Sequence, residues 1–213
     1  MMKKLSLLLA VLVLLPLLAV PAWAQELDYS EMDLDYYTRF KGQGRSINVY
    51  NWGEYISDGS DDSLNVNKAF EELTGIKVVY STFDTNESLY AKLKTGGSSY
   101  DVIIPSDYMI ARMIEEGMLL PLDLGNIPNF ATHINPRYKD QSYDPGNRYS
   151  VPYTWGTVGL IYNAAMVDEN DAIDSWGYLW DPIYADNMLM FSNSKDAFGV
   201  AFKLLGYPIN AES

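Results

Sequence analysis

The sequence contains no cysteine and only one histidine, His133, in 213 residues. The first absence excludes disulfides, thiolate metal sites and thiol nucleophiles, so stability must come from an ordinary apolar core. The second leaves any Ser-His-Asp arrangement dependent on a residue in a proline-rich stretch. No Gly-x-Ser-x-Gly elbow accompanies it, and a surface loop position accounts for His133 better than a catalytic one. Phosphate-binding loops, dinucleotide glycine fingerprints and His-rich metal spacings are missing as well. Asp61-Asp62 is followed by no calcium-loop pattern, and Asn86-Glu87-Ser88, although it fits a glycosylation acceptor, is better explained by helix capping. No cofactor, metal or catalytic residue is expected, and the chain does not read as an enzyme.

Basic residues are scarce: 15 Lys and Arg stand against 28 Asp and Glu, a net charge of −13. Such a balance disfavours nucleic acid and anionic membrane surfaces as partners, since both are polyanions. It is compatible with a cationic ligand, and equally with the plain solubility of an acidic exported protein.

Long apolar runs are also lacking, with one exception. Lys3 and Lys4 precede Leu5 to Val20, and Ala22-Trp23-Ala24 follows with small residues two apart. This is the pattern of a cleaved export signal over residues 1–24, with Gln25 as the mature N-terminus. The run falls short of the ~20 residues of a comfortable membrane span, Pro16 interrupts it, and no cysteine follows to carry a lipid. A soluble protein outside the cytoplasm is expected, with no direct membrane insertion after cleavage.

What is present is a globular composition, 48% hydrophobic and 14% aromatic, including 17 tyrosines and five tryptophans. Aromatic faces suit a core and suit a ligand pocket. Residues 25–45 are acidic, tyrosine-rich and without clear periodicity, and are expected to form a mobile leader. Ile47 to Tyr50 then alternates as a strand. Val66, Ala69, Phe70 and Leu73 line one face of a helix that Asp62 or Ser63 can cap and Gly75 ends. Ile76 to Tyr80 is a second strand, Asn86 can cap a second helix, Asp101 to Ile104 is a third strand, and Ser106 can cap a third helix running to Gly117. This alternation predicts an α/β fold with parallel strands, the second and third buried on both faces. Residues 118 to 150 are rich in proline and turn signals. Beyond them Val158 to Tyr162 reads as extended chain, Ser175 to Asp181 as a short helix, Leu189 to Phe191 as a strand and Ser194 to Leu205 as a helix. After Thr157 too few residues remain to bury a sheet well, so a second lobe is expected to begin and to be incomplete.

In parallel α/β sheets ligands sit beyond the carboxyl ends of the strands. Those ends carry Asn51-Trp52-Gly53-Glu54-Tyr55, Ser81-Thr82-Phe83-Asp84 and Pro105-Ser106-Asp107-Tyr108. Trp52, Glu54 and Tyr55 combine π-faces with an anion, which is what an alkylammonium group needs, while Tyr108 adds a ring and Ser106 a neutral hydrogen-bonding group. On residue types alone the cluster reads equally as a core tryptophan beside a turn.

Six segments in register narrow the choice. Val49-Tyr50-Asn51-Trp52-Gly53-Glu54-Tyr55, Thr74-Gly75-Ile76-Lys77-Val78, Asn86 through Leu93, Tyr100 through Ser106, Tyr149 through Gly156, and Ser175-Trp176 through Pro182 follow one another in the order of a known family. The chain from about Ile47 to Tyr207 resembles the periplasmic spermidine/putrescine-binding proteins, the substrate-binding subunits of ABC importers. The resemblance implies a type II periplasmic-binding fold of two lobes with a hinge, here a first lobe over 46–156 and the incomplete start of a second over 157–213. It implies a polyamine ligand, membrane permease subunits as partners and a periplasmic location. For the pocket it suggests Trp52, Glu54 and Tyr55 on the first-lobe wall, Ser106 and Tyr108 opposite, and the segment Asn193 to Asp196 from the second lobe. Asn193 departs from the family pattern, where an acidic residue is usual, whereas Asp196 keeps its carboxylate. Another cationic or zwitterionic solute is the rival ligand, and an exported α/β hydrolase the rival class.

Overall fold

The structure is a computed structural model that describes residues 27–209 apart from Ser98, Glu169 and Ala172. The export-signal reading of residues 1–24 lies outside the described residues. The described residues divide into two compact units, one of residues 27–46 and 56–78, the other of 47–55 and 79–209.

In the first unit α1 (Leu34–Thr38) packs on α2 (Val66–Thr74). Asp33 caps α1 by accepting from the Tyr36 amide at 3.1 Å. The segment expected to be a mobile leader therefore carries a capped helix with a packing partner. The cap of α2 is neither Asp62 nor Ser63 but Asn65, whose Oδ1 accepts from the Lys68 amide at 2.8 Å. The reason is the preceding loop. Asn65 also donates Nδ2 to the Asp58 carbonyl and pairs with Asp58 as an isolated bridge, so it is held at the helix start. Gly75 ends α2 as expected, at φ 73° with its N–H on the Glu71 carbonyl. Only glycine fits there, because a Cβ would stand 2.7 Å from the Lys41 Cα.

A three-stranded sheet, which apart from Ser46, Lys77 and Val78 lies in the second unit, has the order β2-β1-β3, with β1 (Ser46–Trp52) central between β2 (Lys77–Phe83) and β3 (Val102–Ile103). β1 and β3 pair in parallel, Val49 against Val102 and Tyr50 against Ile103. The pleat sends Tyr50 and Trp52 to one face. There Tyr50 stacks on Tyr100 at 4.5 Å and meets Phe83 edge-on at 5.0 Å, while the Trp52 ring lies 4.5 Å from Phe83. Leu89 from α3 (Asn86–Lys94) and Met109 and Met113 from α4 (Asp107–Glu115) complete this core. The helices run as amphipathic segments over the aromatic face, as their apolar spacing requires. Burial of β2 and β3 on both faces does not hold: Val79 and Val102 are each 45% exposed. Both strands are edges of a narrow sheet and, among the described residues, lack a neighbour on one side.

The stretch 118–150 is turn-rich as expected, with a short α5 (Pro128–His133) and a loop organised by Asp144. That buried carboxylate accepts from the amides of Arg148, Tyr149 and Ser150 and from the Ser150 hydroxyl. His133 is exposed at the end of α5. Trp176–Trp180 forms a 3₁₀ helix, and α6 (Ser194–Leu204) follows. Val158 to Tyr162 has no regular structure, and Leu189 to Phe191 is not a strand. Leu189 is 97% exposed, and an apolar run forms a strand only when a neighbouring strand completes its ladder. No helix among the described residues is long and apolar enough to cross a membrane.

Candidate ligand cleft

Three helices begin at one place. Thr85 caps α3 by accepting from the Ser88 amide at 3.1 Å, which corrects the expectation that Asn86 is the cap. Relieved of that role, Asn86 is buried and ties two helix starts together. Its Oδ1 accepts from the Ser106 amide at 2.9 Å, and its Nδ2 donates to Ser106 Oγ at 3.0 Å. Ser106 is the residue before α4, as expected, but its hydroxyl serves Asn86 and makes no capping bond. The third start is that of α6, where Asn193 Oδ1 accepts from the amides of Lys195 and Asp196 at 3.1 and 3.3 Å. Thr85 and Asn193 satisfy amides that the first helical turn leaves open.

Between these starts lies a cleft of about 290 Å³. Trp52 and Tyr55 contribute from the end of β1, Asp84, Thr85 and Asn86 from the end of β2 and the start of α3, Ser106 from the end of β3, and Phe191, Ser192, Asn193 and Asp196 from the start of α6. Trp52 and Tyr55 stand ring to ring at 5.7 Å. Of the residues singled out from the sequence, Trp52, Tyr55, Ser106, Asn193 and Asp196 come together here. Glu54 and Tyr108 do not reach the lining. Glu54 is exposed on the turn after β1, and the Tyr108 hydroxyl is engaged with Glu87 Oε1 at 3.1 Å. Asp84, Thr85, Asn86, Phe191 and Ser192 were not selected as binding residues. Asp84 carried a usable signal, since it closes the second strand end, where ligands gather in such sheets.

The electrostatics of the cleft are one-sided. Two carboxylates, Asp84 and Asp196, face it, and among the described residues no lysine, arginine or histidine lines it. Among the described residues neither carboxylate accepts a hydrogen bond. Burial, and next the nearby Asp107 charge, push the Asp196 carboxyl above its ordinary value, so a cation brought beside it would relieve an existing cost. Burial raises the Tyr108 hydroxyl to about 12, helped by its hydrogen bond to Glu87 and the charge there, so Tyr108 stays protonated and donates. For Glu87 partial burial acts upward but is outweighed by its own backbone amide, by the hydroxyls of Ser194 and Tyr108 and by Arg112, which together hold it below the usual carboxylate range. No group of three or more His, Cys, Asp or Glu that could hold a metal ion is found among the described residues. The arrangement offers anions, ring faces and neutral hydrogen-bonding groups, which suits binding of a cation bearing an apolar stem.

Residues 65–211 match the family described as bacterial extracellular solute-binding protein, and the chain belongs to that family. The spermidine/putrescine-binding periplasmic protein of Salmonella typhimurium is 38% identical over 166 residues, which are 78% of this chain and 45% of that protein. A putrescine-binding periplasmic protein of Pseudomonas aeruginosa, SpuD, is 39% identical over 141 residues, 64% of this chain and 37% of its own. Among solved structures, the spermidine/putrescine ABC transporter substrate-binding protein PotD of Streptococcus pneumoniae superposes with a TM-score of 0.63 at 40% identity, covering 80% of this chain and 50% of that one. The chain thus spans about half the length of the relatives it matches. The α/β periplasmic-binding fold expected from the sequence is the fold of this chain over the part it shares with them.

Proposed function

We propose that this chain captures a polyamine, spermidine or putrescine, in the periplasm and delivers it to the membrane permease subunits of an ABC importer, performing no chemistry on it. The observation that carries the reading is the cleft, where two carboxylates and the rings of Trp52, Tyr55 and Phe191 stand together and, among the described residues, no hydrogen-bond donor meets those carboxylates and no cationic side chain lines the space. A diamine is a dication at neutral pH, since its amines titrate like lysine. Each ammonium takes a carboxylate, and the methylenes between them lie against ring faces that also attract the charge. Asp84 and Asp196 are the assigned ammonium partners, Trp52, Tyr55 and Phe191 the covering rings, and Ser106 and Asn193 the neutral hydrogen-bonding groups. Residues 46–156 and the segment from 157 onward are assigned to two lobes that close on the ligand by hinge motion. Residues 1–24 are assigned as the export signal. The names of the relatives support the ligand class, the transporter and the compartment.

Titration calorimetry tests the proposal. Putrescine and spermidine should bind with a dissociation constant in the micromolar range or below, while 1,4-butanediol, equal in length but uncharged, should not bind. L-lysine, with one ammonium replaced by a zwitterionic head, should bind far more weakly than either amine. Lysine binding as tight as putrescine would transfer the assignment to an amino-acid carrier, and absence of amine binding would overturn it.

A further inference from the structure

Glu87 does not line the cleft, yet one of its oxygens joins all three helix starts that do. Oε1, on the second residue of α3, accepts the Ser194 hydroxyl at 2.9 Å and the Tyr108 hydroxyl at 3.1 Å. Ser194 is the first residue of α6 and Tyr108 the second of α4. Glu87 and Ser194 are 107 positions apart in the chain. This hydrogen bond joins the first turn of α6 to α3, and the Tyr108 hydroxyl on the same oxygen brings in α4. The residues on either side of Ser194 in that turn, Asn193 and Asp196, face the cleft, while Asp84 and Ser106 face it from the other side.

We propose that the Ser194–Glu87 hydrogen bond is a latch that sets the width of the cleft, with Glu87 a positioning residue for the α6 wall. The inference rests on the polyamine reading for its ligand but not for its geometry. The two cleft carboxylates belong to separate segments of chain, and their separation decides which diamine can reach both. A rigid helix start transmits the position of Ser194 to Asp196 two residues on. Tyr108, bonded to the same oxygen, orients the carboxylate toward Ser194 by occupying its other side. A latch of this kind favours diamines whose span matches the held separation and slows ligand escape.

Ser194→Ala removes the donor and leaves the α6 cap, which belongs to Asn193, intact. Glu87→Gln keeps an acceptor oxygen, and Glu87→Ala abolishes it. In the ligand-free protein, Ser194→Ala and Glu87→Ala should speed amide hydrogen exchange at Lys195, Asp196 and Ala197 about fivefold, as expected for loss of one solvent-accessible hydrogen bond to a charged acceptor. Glu87→Gln should retain most of the protection, and the global melting temperature should barely move in Ser194→Ala. With ligand, Ser194→Ala should release putrescine faster and narrow the preference for 1,4-diaminobutane over 1,6-diaminohexane. Wild-type exchange rates at these three amides in both Ser194→Ala and Glu87→Ala would overturn the latch. Because that readout needs no ligand, it decides the inference even if the wild-type protein binds no amine, an outcome that would sink the polyamine reading alone.

Discussion

Replacing Asn86 by alanine is expected to do more damage than any other single change at the cleft. The side chain is 1% exposed and makes two hydrogen bonds to one residue, accepting from the Ser106 amide at 2.9 Å and donating to Ser106 Oγ at 3.0 Å. Each bond contributes about 1 kcal/mol net, and leaving the half-buried Ser106 amide without an acceptor adds about 1–2 kcal/mol. The total is about 3–4 kcal/mol, which for a chain of this size corresponds to a fall in melting temperature on the order of 6–16 °C. Asn86→Asp separates hydrogen bonding from mere bulk. Its carboxylate still accepts from the Ser106 amide, the Ser106 hydroxyl can turn to donate, and a negative charge at the first position of α3 is favoured by the helix dipole. It should therefore lose less than half as much, although part of the gain goes to desolvating the charge. Thermal and urea unfolding followed by circular dichroism measure both. Since Asn86 and Ser106 both line the cleft, polyamine affinity should fall with stability in Asn86→Ala. An Asn86→Ala protein within about 0.5 kcal/mol of wild type, or an Asp variant as unstable as the Ala one, would refute this account of how the helix starts are joined.

Gly75→Ala should cost about 1–3 kcal/mol in urea unfolding, because φ is 73° and the new Cβ would stand 2.7 Å from the Lys41 Cα; an unchanged midpoint would show that the approach of Lys41 is not tight. Glu116, joined to Lys94, to the Tyr90 hydroxyl at 2.8 Å and to Arg112 at 3.0 Å, is held down to about 2 from an ordinary 4.5 by these partners in that order. A depressed carboxylate stabilises above its unfolded value and loses that contribution as pH falls toward the folded one, so wild type minus Glu116→Gln should be constant above about pH 5 and shrink between 4.5 and 2. A difference independent of pH across that window would refute the assignment. Asn193→Asp keeps a good helix cap and adds an anion to the cleft, so spermidine affinity should rise by a few fold, opposite charges at such a site attracting by about 4 kcal/mol before desolvation takes most of it back. Unchanged spermidine binding in calorimetry would show that Asn193 does not meet the ligand.

The order of elements was legible because it depends on local patterns. The apolar spacing of Val66, Ala69, Phe70 and Leu73, the stop at Gly75 and the alternation from Ile47 to Tyr50 each fix a conformation within about one turn or one pleat, and α2 and β1 stand where they indicate. The strand ends were readable for the same reason, and with them Trp52, Tyr55 and Ser106 of the cleft lining, whereas Asn193 and Asp196 came from the family resemblance. What failed was whatever needs a partner distant in sequence. Leu189 to Phe191 has strand composition but no strand to pair with. The cap of α2 passed to Asn65 because Asp58 holds it, and that of α3 to Thr85 because Asn86 is claimed by Ser106, 20 residues away. Tyr108, by type a plausible ring for a ligand, is turned to Glu87 instead. The sequence alone therefore determined β1 to β3, the helices α2, α3, α4 and α6, the acidic and aromatic character of the site and the solute-binding class. Only the tertiary structure decided which side chains face the cleft and which are spent behind it, because a hydrogen-bonding group has few bonds to give and its partner is chosen by proximity in the folded chain.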